Sequence, residues 1–307
     1  MLSILLKMTI LLISVLLGVA FLTLFERKVL SYIQKRKGPN KMGFKGLLQP
    51  FSDAIKLLLK EPVLLTLPYQ LIYFLSPVLV LLVSLVLWIS FPSTLGSFEI
   101  SLPIIFILCC LSMGVYPTLG AGWASNSKYA MLGSLRAAAQ TISYEVSFAI
   151  IILSPIVLAA CYSSTLLLWV FNWPVILLSP LIAFLWLSSA LAETNRTPFD
   201  FAEGESELVS GFNTEYSASG FVLFFLAEYS SILFMSLLFS VLFINPMDLT
   251  LLLALWTLTS AYLFLWARGT LPRLRYDKLM NLTWKTFLPI SLSYLMFFSS
   301  LMAGVYL

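Results

Sequence analysis

No histidine occurs in the 307 residues. That removes the side chain used most often as a general base near neutral pH, as a haem ligand and as a zinc ligand. Cysteine is scarce too: Cys109 and Cys110 are adjacent and Cys161 stands alone. This spacing suits neither an iron–sulfur cluster nor a zinc site. No G-x-G-x-x-G string and no Walker A string is present. A chain without a metal, redox centre or nucleotide of its own is therefore expected, and no nucleic-acid partner. Charge is also sparse. Charged residues make up 10% of the chain, against about 25% in an ordinary soluble domain. What fills the space is apolar: 60% of the residues, with a mean hydropathy of +0.97. Disorder, a coiled coil and a disulfide scaffold are excluded by the same composition. The solvent for such a chain is lipid.

A helix needs about 20 mostly apolar residues to cross about 30 Å of hydrocarbon. Eight segments meet this, at approximately 3–25, 70–91, 103–122, 139–161, 174–192, 220–244, 249–267 and 287–306. They are too long and too continuous for barrel strands. The first runs into Glu26-Arg27-Lys28 instead of a small-residue cleavage site, so it reads as a retained span. Of the 18 Lys and Arg residues, all but Lys7 fall in or beside the segments 26–69, 123–138, 193–219 and 268–286. The alternate loops, near 92–102, 162–173 and 245–248, hold none. Eight spans put these two sets of loops on opposite sides, as the positive-inside rule requires. The expected fold is thus an all-α polytopic membrane protein: one membrane domain over 1–307, eight spans, and both termini opposite the charged loops.

The first charged loop carries Lys35-Arg36-Lys37-Gly38-Pro39-Asn40, a helix-breaking string. After Gln49-Pro50, apolar Phe51, Ala54, Ile55, Leu58 and Leu59 fall on one helical face and Asp53, Lys56 and Lys60 on the other. This pattern predicts an amphipathic helix lying at the membrane surface. Either lipid attraction or a docking surface would account for it. The loop at 193–219 differs in sign: Glu193, Asp200, Glu203, Glu205, Glu207 and Glu215 stand against one cation, Arg196. A solvated acidic loop would account for them. A calcium site is a weaker alternative, because the spacing does not match an EF-hand. The preferred reading is proton handling, since crowded carboxylates raise one another's pKa.

Two more acids interrupt the spans. Glu145 lies about 9 Å into the fourth and Glu228 about 12 Å into the sixth, at 1.5 Å per residue. Holding an ionised acid there costs on the order of 3 kcal/mol, so a use is the default expectation. Arg136, nine residues before Glu145, is a candidate electrostatic partner. With the acidic loop, the two residues would make a line of carboxylates and water leading into the membrane.

Several long strings now become recognisable. Gln34-Lys35-Arg36-Lys37-Gly38-Pro39-Asn40, Gly122-Trp123-Ala124-Ser125-Asn126-Ser127-Lys128-Tyr129, Ala139-Gln140-Thr141-Ile142-Ser143-Tyr144-Glu145-Val146, Glu203-Gly204-Glu205-Ser206-Glu207 and Pro272-Arg273-Leu274-Arg275-Tyr276-Asp277 occur in order along the chain. In these strings the sequence resembles the family of subunit 1 of NADH:ubiquinone oxidoreductase, respiratory complex I, over nearly its whole length. The resemblance implies a membrane subunit at the foot of the peripheral arm that forms much of the ubiquinone channel. It implies NADH, FMN and iron–sulfur clusters on partner subunits, neighbours in the membrane arm, and cardiolipin as a possible lipid contact. Catalytic residues and metal ligands on this chain itself are not implied. Glu145, Glu193, Asp200, Glu203, Glu205, Glu207 and Glu228 resemble the family's acidic link from quinone cavity to membrane proton pathway. Arg27, Arg36, Arg196, Arg273 and Arg275, with Phe225, resemble its channel residues. Residue 281 is Asn where some relatives carry His, so no histidine role transfers there. The implied location is the mitochondrial inner membrane, with the charged loops on the matrix side and the termini facing the intermembrane space.

Other classes meet the same residues. A stand-alone proton-coupled transporter would use buried acids, but such folds often show paired repeats, and none is visible. An enzyme of prenyl lipids would need a repeated Asp-rich, magnesium-binding signature, which the 200–207 segment lacks. Related subunits of membrane hydrogenases share the resemblance, with fewer of its strings.

Overall fold

The computed structural model describes residues 2–62, 69–91, 100, 102–163, 174–202, 204–246 and 251–306, and among them only helices and connecting loops are found. The principal helices are α1 (Leu2–Ile33), α2 (Gln49–Leu59), α3 (Gln70–Leu87), α4 (Pro103–Met113), α5 (Val115–Ala124), α6 (Lys128–Ala159), α7 (Pro180–Glu193), α8 (Ala218–Phe239), α9 (Leu251–Thr270), α10 (Tyr276–Leu282) and α11 (Leu288–Tyr306). Among the described residues, seven continuous helical stretches are long and apolar enough to cross a membrane: Leu6–Ile33, Gln70–Ser90, Pro103–Ala124, Lys128–Ala159, Ala218–Ile244, Leu251–Thr270 and Tyr276–Gly304.

The expected fifth span does not form one such helix. It divides into a single turn, Val175–Leu178, and α7, with Ser179 at φ −140° and ψ 70° between them. Pro180 is the cause: a residue before proline is pushed out of the helical region, whereas proline is well suited to a first helical turn. Ser179 bridges the break by donating its backbone N–H and its hydroxyl to the Val175 carbonyl, at 3.0 and 3.3 Å. The 14 residues of α7 give about 21 Å, short of the hydrocarbon thickness.

Three helices also run further than their apolar segments. The first continues to Ile33, the fourth begins at Lys128 and the last begins at Tyr276. Glu26, Arg27 and Arg136 are consequently helical residues and not loop residues. Glu145 lies well inside α6, not close to its start. The start of α6 is set by Ser127, whose side-chain oxygen accepts from the Ala130 N–H at 3.3 Å.

Two helices organise the packing. One, α6, contacts α5, α7 and α11. Its buried face is rich in small residues, among them Ala130, Gly133, Ser134, Ala137 and Ala138, which let neighbouring backbones come close. The other, α8, contacts α1, α2, α3 and α9. Away from the acidic loop the core is aromatic: fully buried Trp186 meets the rings of Phe148, Phe239 and Phe243 at 5.9, 5.4 and 6.0 Å. Nearer that loop, Tyr73 of α3 stacks on Tyr216 at 4.4 Å. The Tyr73 hydroxyl donates to the Glu215 carbonyl at 2.8 Å. These contacts fix the end of the loop where α8 begins.

Candidate functional site

A cavity of about 120 Å³ is lined by α3, α4, α5, α6 and α8 together with the start of the 193–219 loop. Its walls are mixed. Val80, Leu87, Leu111, Phe224 and Met235 supply apolar surface, while Ser84, Thr118, Thr141, Asn195 and Ser231 supply hydrogen-bonding groups. Two carboxylates from distant parts of the chain reach it, Glu193 and Glu228. At roughly 15 Å³ per water, the space holds several molecules and has the polar partners they need.

Glu193 is the last residue of α7, where the loop begins, one position beyond the apolar segment 174–192. Its Oε2 is buried with no hydrogen-bond partner. Burial first, and then the Glu145 carboxylate, push the Glu193 carboxyl up to about 8. Both causes disfavour the charged form. The site therefore contains an acid that exchanges its proton close to physiological pH.

Glu228 is held differently. Arg196 Nη2 lies 3.5 Å from its Oε2, and the Arg196 side chain is only 8% exposed. The guanidinium also sits 4.6 Å from the ring centre of Tyr229, a cation–π arrangement that favours the cation where water is scarce. Tyr229 in turn faces Glu26, a buried acid that accepts from Arg268. A chain of polar contacts thus runs from Arg268 through Glu26, the neutral Tyr229 and Arg196 to Glu228.

The remaining expected residues fall around this core or away from it. Arg136 pairs with Glu207 at 2.6 Å, on an exposed face. The acidic loop, and not Glu145, takes its charge. Arg273 donates to the backbone carbonyl of Asp200 and lies over the Phe201 ring at 5.6 Å. Arg27 pairs with Asp53 across α1 and α2 at 2.5 Å. Arg36 donates to Gln34 at 2.9 Å, and Arg275 pairs with its neighbour Asp277 on the surface at 3.1 Å. Phe225 packs ring to ring with Phe221 and Tyr229, at 4.3 and 6.4 Å. Glu205 opens the single turn Glu205–Leu208, and Glu203 lies outside the described residues. Among the described residues, no three metal-ligating side chains converge. Glu26, Arg268 and Tyr229 were not anticipated. The one available signal for Glu26 was a carboxylate directly after an uninterrupted apolar run.

Comparison with known proteins places the sequence in a family. A family model described as NADH dehydrogenase matches residues 6–299. The chain is 57% identical over 291 residues to the NADH-ubiquinone oxidoreductase chain 1 of Aedes aegypti, covering 94% of this chain and 92% of that one. It is 53% identical over 299 residues to the protein of the same name from Locusta migratoria, covering 96% and 95%. It is also 50% identical over 293 residues to that of Danio rerio, covering 91% and 89%.

Proposed function

The chain belongs to the NADH dehydrogenase family, as a membrane subunit of NADH-ubiquinone oxidoreductase, and from that premise we propose that it forms much of the ubiquinone access channel and carries the acidic link from the quinone cavity toward the membrane proton pathway. The observation that carries this reading is the convergence of Glu193 and Glu228 on one partly polar cavity, beside the Arg196–Glu228 pair. Reduction of a quinone to a quinol takes up electrons and protons together, so nearby acids must respond to the charge. Glu193, with a carboxyl that titrates close to 8, changes state over a small shift in local potential. Arg196, 3.5 Å from Glu228, places a cation beside that carboxylate. Glu145, Asp200, Glu203, Glu205 and Glu207 complete the proposed link.

Quinone arrives from the bilayer. Its isoprenoid tail would lie along apolar walls with a few placed polar groups, as in other largely apolar sites. Helix α2 packs against α1 and α8, and Phe51, Ile55, Leu58 and Leu59 remain exposed on it. This fits an interfacial helix beside the opening of such a channel. Arg27, Arg36, Arg196, Arg273, Arg275 and Phe225 are the proposed channel residues. The chain would cross the membrane eight times as one domain, with α7 as a short fifth span. Its charged loops would face the matrix of the mitochondrion and its termini the intermembrane space. NADH, FMN and iron–sulfur clusters would reside on partner subunits of the peripheral arm. Other membrane-arm subunits and cardiolipin would contact its sides.

The test is photolabelling of the assembled complex with a short-tailed azido-ubiquinone, followed by peptide mapping of this chain. Label is expected in α1, α2 and α8, and to be lost on competition with unmodified ubiquinone. Label confined to the outer surfaces of α9 and α11 would contradict the channel.

A further inference from the structure

Gln140 is fully buried on α6, between Glu145 and the 193–219 loop. Its Nε2 donates to two carbonyls, those of Ala192 and Phe199, both at 2.8 Å. Ala192 immediately precedes Glu193, and Phe199 immediately precedes Asp200. One amide therefore closes both ends of a short loop that carries Glu193 and Arg196. Each carbonyl also accepts a backbone N–H, Ala192 from Asn195 at 3.2 Å and Phe199 from Phe201 at 3.0 Å, so the amide joins two loop ends whose backbone is already turned. The Gln140 Oε1, by contrast, is buried with no partner. The side chain accepts an unsatisfied oxygen, which is costly, in exchange for this double tether. The next residue, Thr141, lines the cavity.

We propose that Gln140 is a positioning residue for the acidic site, clamping the loop so that Glu193 stays against Glu145 and Arg196 stays against Glu228. This rests on the reading of the cavity acids as the proton link. The charged and titratable groups around Glu193 are Glu145 on α6, which acts on it directly, Glu228 on α8 and Cys110 on α4, which line the same cavity, and Arg196, three residues on in its own loop and paired with Glu228. If the clamp opens, water reaches the Glu193 carboxyl and the effect of burial weakens, so that acid moves toward its ordinary range.

The experiment uses the assembled complex carrying Gln140→Met, a similar volume without either donor, and reads the pH profile of NADH-driven ubiquinone reduction. The expected result is a fall of about tenfold in turnover, the scale of one lost polar interaction. The limb of the profile set by Glu193 should move acidward by about one pH unit. In the Glu193→Gln background, Gln140→Met should add no further shift, because the two changes act on one site. If Gln140→Met does not assemble, Gln140→Asn, which keeps the amide but shortens its reach, should give a smaller acidward shift. An assembled variant with the wild-type profile, or a shift that persists undiminished beside Glu193→Gln, would overturn the positioning role. If Glu193→Gln alone leaves activity and profile unchanged, the proton-link reading fails and this proposal with it. If Glu193→Gln alters the profile and the Gln140 variants do not, only the clamp is rejected.

Discussion

Arg196 Nη2 lies 3.5 Å from Glu228 Oε2, joining the acidic loop to the middle of the chain's sixth long apolar segment. Both side chains are largely shielded, at 8% and 18% exposure. Removing one partner of a shielded pair leaves the other charge without compensation, at a cost of about 3 kcal/mol. Arg196→Gln is therefore expected to lower the thermal inactivation temperature of the assembled complex markedly. Arg196→Gln combined with Glu228→Gln should recover part of the loss. An unchanged inactivation temperature in the single variant would contradict the pairing.

The exposed pair behaves in the opposite way. Arg136 and Glu207, 2.6 Å apart with side chains 36% and 47% exposed, are screened by water and salt. Arg136→Gln should cost less than about 0.5 kcal/mol, and the difference should vanish at high ionic strength. Melting curves of the complex in low and high salt check this.

Glu193 makes stability depend on pH in a fixed direction. Its folded carboxyl keeps a proton up to about 8, whereas the ordinary value is 4.5. Between those values the folded state binds more protons than the unfolded one. The relative stability this confers is fully present below about 4.5, declines as the pH rises, and is lost above about 8. Glu193→Gln should flatten this part of the stability curve, measured as inactivation temperature from pH 6 to about pH 8.5. A variant that retains the wild-type slope would contradict the assignment.

Gly133 marks where α6 meets the loop backbone. A Cβ there would stand 2.9 Å from both Gly211 Cα and Phe212 N, closer than real contacts permit, and backbone atoms cannot swing aside. Gly133→Ala should push the Gly211–Asn213 turn off the helix at a cost of about 2 kcal/mol. Limited proteolysis in the acidic loop should accelerate. Gly304→Ala, with nothing within 4 Å, is the neutral control.

Much of this was legible from residue order. Apolar run length located the long helices, and two of the acids singled out, Glu228 inside a run and Glu193 at the loop, line the cavity, whereas Glu145 does not. What escaped detection was of two kinds. Helix ends depend on backbone chemistry, not on hydropathy, so α1, α6 and the last helix run past their apolar segments, and Pro180 shortens the fifth. Partners also depend on tertiary approach. Glu26 and Arg268 meet across 242 positions of sequence, and no periodicity links them. The role of Gln140 leaves no mark in the sequence, because its two acceptors are backbone carbonyls that any residue would supply.

In the proposed function, Glu193, Glu228 and the neighbouring Glu145 couple quinone chemistry to proton movement. The most direct test reconstitutes the assembled complex in sealed proteoliposomes and measures protons moved per NADH oxidised, comparing wild type with Glu228→Gln and Glu145→Gln. Intact assembly with a reduced proton yield, reduced turnover, or both, is expected. Normal turnover and normal proton yield in both variants would contradict it.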